Sequence, residues 1–249
     1  MKTFKLSFPK IYYLIERYVM LNKKSIVITA SSLTGVLVAL CLLNTWAGNH
    51  VFSVDYFVLQ AKLFFVIPGF VFTSVIFKEI SSFANGWSYF ILPANRIEKM
   101  VAYWLLTTVV YIIFSLSILI ISSLIISGLV SLLFEPTFFV FNPLNFQFQE
   151  LIVHYLVLQS VYFLGAISFQ RNHFFITTLF VLLVLGFLVL FSILGFRLIF
   201  GDWSIFLNAD TVSPEFFEQI KLWIKVIYYG LLAPFFLLMS YLRFKEKEI

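Results

Sequence analysis

The sequence predicts an all-α polytopic membrane protein with six transmembrane helices, an N-terminal interfacial helix and both termini in the cytoplasm. Three observations carry this expectation. Of 249 residues, 61% are hydrophobic and 12% are charged, against about 45–50% and about 25% in a soluble domain. Six apolar runs stand out, each at least about as long as the ~20 residues that cross a bilayer. Lys and Arg gather on one side of those runs. A mean hydropathy of +1.00, with 33 Phe and 12 Tyr, excludes a soluble globular, disordered or collagen-like chain. The single cysteine, Cys41, excludes an intrachain disulfide. It sits in Val38-Ala39-Leu40-Cys41, where a lipobox needs a small residue before the cysteine, so an uncleaved, unlipidated segment is expected.

The first element is the segment 1–24. Pro9 suits a first helical position. Ile11, Leu14, Ile15 and Tyr18 then recur at the spacing of one helix face. The segment also holds Lys2, Lys5, Lys10, Arg17, Lys23 and Lys24. The pattern predicts a helix on the inner leaflet with basic residues near anionic headgroups. The plainer alternative is a positive tag that only sets topology.

The six spans are expected near Ser25–Leu43, Phe57–Phe77, Ala102–Val130, Leu151–Phe169, Phe174–Phe196 and Leu222–Tyr241. They lack the alternation of barrel strands, and a helix pairs its backbone internally in lipid. Beyond the six basic residues above, Lys78, Arg96 and Lys99 follow span two. Arg171 follows span four, and Arg243, Lys245 and Lys247 follow span six. The other side has Arg197, Lys221 and Lys225. Thirteen against three of the 17 basic residues predicts cytoplasmic termini. The net charge of +5 thus marks topology, and no nucleic-acid partner is expected. With Cys41→Ser as background, Asn208→Cys is expected to react with an impermeant thiol reagent in whole cells, and Lys247→Cys not to. The reverse pattern overturns the orientation. A single membrane domain is expected over 1–249, without an internal repeat.

The connection 78–101 carries the densest signal. Asn95 is placed to N-cap the next helix, and Glu98 at its third position is placed to return the bond. Before them, Trp87, Tyr89, Phe90, Ile91 and Leu92 form an aromatic, apolar stretch beside the cytoplasm. It reads either as an interfacial belt or as a docking surface, since aromatics concentrate at binding hot spots.

In this connection the chain resembles the permease subunits of type-2 ATP-binding-cassette (ABC) transporters. These have six spans, cytoplasmic termini and a first helix on the inner leaflet. After span two they carry an acidic residue, a Gly, an apolar stretch and Leu-Pro-x-Ser-Arg, then Glu or Ile opening span three. Here Glu79, Gly86, Leu92-Pro93-Ala94-Asn95-Arg96 and Glu98 stand in that order. Asn95 stands where the family has Ser, and the Gly-to-Pro spacing is about two residues shorter. The resemblance implies an exporter subunit that dimerises with a copy of itself or a related permease. It also implies a separate cytoplasmic ABC ATPase holding ATP and Mg, with no cofactor in this chain. Glu79, Gly86, Trp87, Phe90, Pro93, Asn95, Arg96 and Glu98 are then the ATPase-coupling segment. None of the ten glycines is followed by Lys, so the chain has no phosphate-cradling G-x-x-x-x-G-K-[ST] loop of its own.

The remaining features have local readings. Lys62, about five residues into span two, is expected to snorkel as an anchor. Glu150 and His154 share a helix face, too few ligands for a zinc site. Ser31, Gly35 and Ala39 form a small-residue stripe for helix packing, within a subunit or across a dimer. Pro68 and Pro234 are candidates for kinks. The connection 197–221 is external, and Ser213-Pro214-Glu215 reads as a helix start. The spans are expected to lack convergent polar residues, which argues against an intramembrane enzyme and for an apolar or amphipathic cargo. The rival readings are an orphan structural or assembly membrane protein, or an intramembrane enzyme.

Overall fold

In a computed structural model of the chain the described residues are 7–48, 51–77, 94–134, 138–169, 172–200, 222 and 225–247. Among them six helices are long and apolar enough to cross a membrane, so this is a multi-pass helical membrane protein. Helix α1 is Phe8–Ala47, α2 Val54–Val75, α3 Arg96–Leu133, α4 Phe146–Ser168 and α5 His173–Phe200. Helix α6 opens with a π-helical stretch, Ile227–Leu232, and continues as α-helix over Ala233–Lys247. No strand occurs among the described residues. The Ser213-Pro214-Glu215 helix start lies outside them.

Helix α4 is the centre of the bundle. Half of its apolar window is buried, and it packs on α2, α5 and α6. Phe57, Ala61 and Phe65 of α2 recur every fourth residue and are fully buried. The Phe65 ring lies 5.3 Å from Phe148 and 5.2 Å from Tyr155, both on α4. Helix α5 is peripheral. Only 6% of its apolar window is buried, and Leu183, Phe187, Leu190 and Leu194 are exposed. A helix apolar on every face and covered by protein over only a small part of its surface belongs in lipid.

The beginning of α1 and the end of α6 lie at the same end of the bundle. Phe244 of α6 packs 6.0 Å from Phe77, just past α2. The same cluster takes in Ile15 and Tyr18 of α1 and Tyr103 of α3.

The amphipathic N-terminal segment differs from expectation. It is not a separate interfacial helix but the beginning of α1, a single helix of 40 residues. No Pro or Gly occurs between Lys10 and Thr34 to break it. Its apolar stripe covers protein rather than lipid. Ile11 and Leu14 pack against Ala102, with Ala94, Val101 and Leu105 around them. The Tyr18 ring lies 6.2 Å from Tyr103 and 6.1 Å from Phe72. Phe8, Tyr12, Tyr13, Met20 and Leu21 are exposed, with Tyr13 and Met20 on the face opposite the stripe.

Helix length then matters. Forty residues make about 60 Å at 1.5 Å per residue. Even tilted by about 40°, the upper end of the usual range, such a helix covers about 46 Å against a hydrocarbon core of about 30 Å. Helix α3, with 38 residues, has a similar surplus. Only six residues separate the end of α1 from the start of α2, so the surplus of α1 lies at the end where α1 begins. There the first turns of α1 and α3 pack side by side as a two-helix stalk.

Candidate functional site

Helix α3 is not a uniform rod. Between its two α-helical parts, Arg96–Leu105 and Tyr111–Leu133, lies one π-helical turn, Leu106–Val110. The local cause is Thr107-Thr108. The Thr107 hydroxyl donates to the Tyr103 carbonyl at 3.0 Å, and the Thr108 hydroxyl donates to the Trp104 carbonyl at 2.7 Å. Such back-bonding competes with the regular ladder and bends helices. The Tyr111 amide then reaches the carbonyl of Leu106, five residues back, rather than that of Thr107. The Thr107 carbonyl is released, and in lipid it must find another donor. The Tyr155 hydroxyl of α4 supplies it at 2.9 Å.

One turn further along α4, the Gln159 amide nitrogen donates to the Thr107 hydroxyl at 2.7 Å. Gln159 is fully buried. Its Oε1 has no hydrogen-bond partner among the described residues. Such a buried, unmatched acceptor costs about 1–3 kcal/mol. Tyr111, at the other edge of the π turn, donates to the Phe65 carbonyl of α2 at 2.6 Å. Gly69 is the close-approach point. A Cβ there would lie 2.6 Å from the Tyr155 ring and 2.7 Å from the Tyr111 ring. A break in α3 is thus gripped by α4 through Tyr155 and Gln159 and by α2 through Tyr111.

This overturns the expectation that the spans lack convergent polar residues. The cluster is neutral and made of residue types that each pass as apolar-run exceptions. A lone Gln eight positions into the run from Leu151 was the legible signal. The Tyr155 and Thr107 roles carried none, because they depend on which α3 carbonyl is released.

Toward the end that carries the termini, Glu98 joins the two stalk helices. Its Oε2 accepts from the Asn95 amide at 2.8 Å, completing a capping box with Asn95. Its Oε1 accepts from the Ser7 amide at 3.0 Å, and Ser7 is the N-cap of α1. One carboxylate, 1% exposed, therefore caps two helix starts, where the macrodipoles favour negative charge. Arg96 opens α3 beside it and is half-buried. Glu79, Gly86, Trp87, Phe90 and Pro93 lie outside the described residues.

The other candidates resolve as follows. Lys62 donates to Gln147 Oε1 on α4 at 3.3 Å, tying two helices. His154 is held by two tyrosines of the π-helical start of α6, with Nδ1 3.3 Å from the Tyr228 hydroxyl and Nε2 3.1 Å from that of Tyr229. That π stretch ends two residues before Pro234, which has no amide to continue a regular ladder. Pro68 lies inside α2 without interrupting it. Glu150 is exposed. Among the described residues no three His, Cys, Asp or Glu side chains come together to hold a metal. Ser31, Gly35 and Ala39 are exposed, and nothing lies within 4 Å of a Cβ built on Gly35. The stripe therefore faces out of the bundle; Leu37 and Cys41 form the packed face of α1. No protein-family model, no curated protein and no solved structure matches this chain.

Proposed function

We propose that the chain is the membrane-spanning permease subunit of an ABC exporter. It sits in the cell membrane with both termini cytoplasmic, and works with a separate ATPase and a second copy or a related permease. The observation that carries the reading is the stalk. The start of α3, immediately after the aromatic connection, is fastened by Glu98 to the start of α1. A push on that connection acts on two helices at once, and along α3 it reaches the π turn held by Tyr155 and Gln159. An ATPase closing on the 78–101 connection is the motion such an arrangement transmits. The chain's own lack of a nucleotide loop assigns the motor to another subunit.

Pull-down in mild detergent, followed by mass spectrometry of the partners, tests this reading. A Walker-containing chain is expected to co-purify. Trp87→Ala and Phe90→Ala are expected to weaken its recovery by about 30-fold, the equivalent of about 2 kcal/mol at a binding hot spot. Unchanged recovery and unchanged ATPase stimulation in both variants would assign the aromatic stretch to the membrane interface instead. Recovery of no ATPase from the native membrane leaves the structural or assembly role in its place.

A further inference from the structure

The end of the bundle remote from the termini is closed by a piece of chain that is neither helix nor surface loop. After α3 the segment Phe138–Asn142 runs without secondary structure, back alongside the helix it has just left. The Phe139 amide donates to the Ser127 hydroxyl oxygen at 3.0 Å, and the Phe141 amide donates to that of Ser123 at 3.0 Å. The register is that of an extended strand laid along a helix face. Two extended residues advance about 6.7 Å, and the four helical residues from Ser127 back to Ser123 cover about 6 Å. The side chains alternate accordingly. Phe138 and Val140 are exposed, Phe139 is half-buried and Phe141 is buried.

The groove that receives this strand is built from three helices. Ser123 and Ser127 of α3 form its polar wall. Phe57 of α2 lies 5.3 Å from the Phe139 ring and 5.9 Å from the Phe141 ring. Phe148 of α4 lies 5.0 Å from Phe141. Ser123 is ten residues before the end of α3, so the strand reaches about 15 Å below that end. Irregular backbone at such depth stands only where protein satisfies it. At Phe139 and Phe141 the two serines do so, by binding alternate backbone amides. Nothing in these contacts depends on the strand belonging to this chain: hydroxyl acceptors one helical turn apart read backbone amides, and the rings read aromatic side chains.

We propose that this groove is a binding site for an extended, aromatic-bearing peptide, and that Phe138–Asn142 occupies it as a displaceable internal plug. Displacing the plug vacates the same two serines and the same ring contacts for a peptide in trans. The inference goes beyond the transport reading and is independent of any ATPase, so either can fail without the other.

The test uses the full-length protein in lipid nanodiscs and a synthetic, dye-labelled peptide with the plug's own sequence, Phe-Phe-Val-Phe-Asn. Weakening the plug with Phe139→Ala plus Phe141→Ala is expected to raise the affinity of this peptide at least tenfold. Two N-methylated isomers then separate recognition from greasiness. Methylation of the second and fourth amides removes the donors that face the serines and is expected to lower affinity about 30-fold. Methylation of the third and fifth amides adds the same apolar bulk and is expected to change affinity little. Ser123→Ala plus Ser127→Ala should abolish the difference between the isomers. Equal binding of the two isomers, or no gain from weakening the plug, overturns the proposal. Should the plug variant fail to fold, the two isomers are titrated on the wild-type protein and their affinities compared, where equal affinity is again the overturning result.

Discussion

Tyr155→Phe is expected to destabilise the protein and Gln159→Leu to leave its stability unchanged or raise it, although both remove a hydrogen bond to Thr107. Tyr155→Phe strands the Thr107 carbonyl in a membrane core, at a cost of about 1–3 kcal/mol. The strain is relieved if the Tyr111 amide returns to that carbonyl. This would erase the π turn and shift one half of α3 by one residue, about 100° and 1.5 Å. Gln159→Leu instead removes one neutral bond worth about 1 kcal/mol together with an unmatched acceptor that costs about 1–3 kcal/mol. Thr107 keeps its own acceptor at Tyr103. The Leu variant is therefore expected to melt at the same temperature or higher in detergent, and the Phe variant lower. Shifts of the same sign and size would sink the account of the joint. If α3 transmits ATPase closure, both variants should lose coupled transport despite their different stabilities, the pattern of a functional site held at some cost to the fold.

Glu98→Ala is expected to release the start of α1 from the start of α3. The carboxylate accepts from Ser7 and from Asn95, and a hydrogen bond to a charged group contributes about 1.5–3 kcal/mol. Losing both in a buried setting costs about 3 kcal/mol or more. Glu98→Gln keeps one acceptor oxygen but turns an amide group toward the second N–H, so it should recover at most half of that. Two readouts are informative. Thermal unfolding reports the total, and limited proteolysis reports whether the first turns of α1 become cleavable. An Ala variant with wild-type melting and an uncut α1 would show that the stalk is held by its apolar contacts alone. Those contacts are Ile11 and Leu14 against Ala102.

How much of this was legible in the sequence depends on the range over which each feature is determined. Six spans were readable because a bilayer tests each segment separately, for length and apolarity, whatever its neighbours do. The expected spans all overlap observed helices, and the main error was one of continuity at the beginning of α1. The Asn95–Glu98 cap was readable too, because its partners are three residues apart on one helix. Apolar periodicity correctly marked Ile11, Leu14, Ile15 and Tyr18 as a covered face. It could not say what covers them, because a lipid tail and a packed helix ask for the same side chains.

What the sequence by itself determined is therefore the number and type of elements and the start of α3. These follow from local hydropathy and local hydrogen bonding. The tertiary structure alone decided the contacts that give the site its character. Glu98 reaches Ser7 across 91 positions, Tyr155 reaches Thr107 across 48, and Phe141 reaches Ser123 across 18. Each of these bonds answers a backbone group left over by a helix start, a π turn or an extended strand. Which group is left over is settled only when the helices have packed. In a medium without water the donor or acceptor must then come from whichever side chain the packing brings within 3 Å.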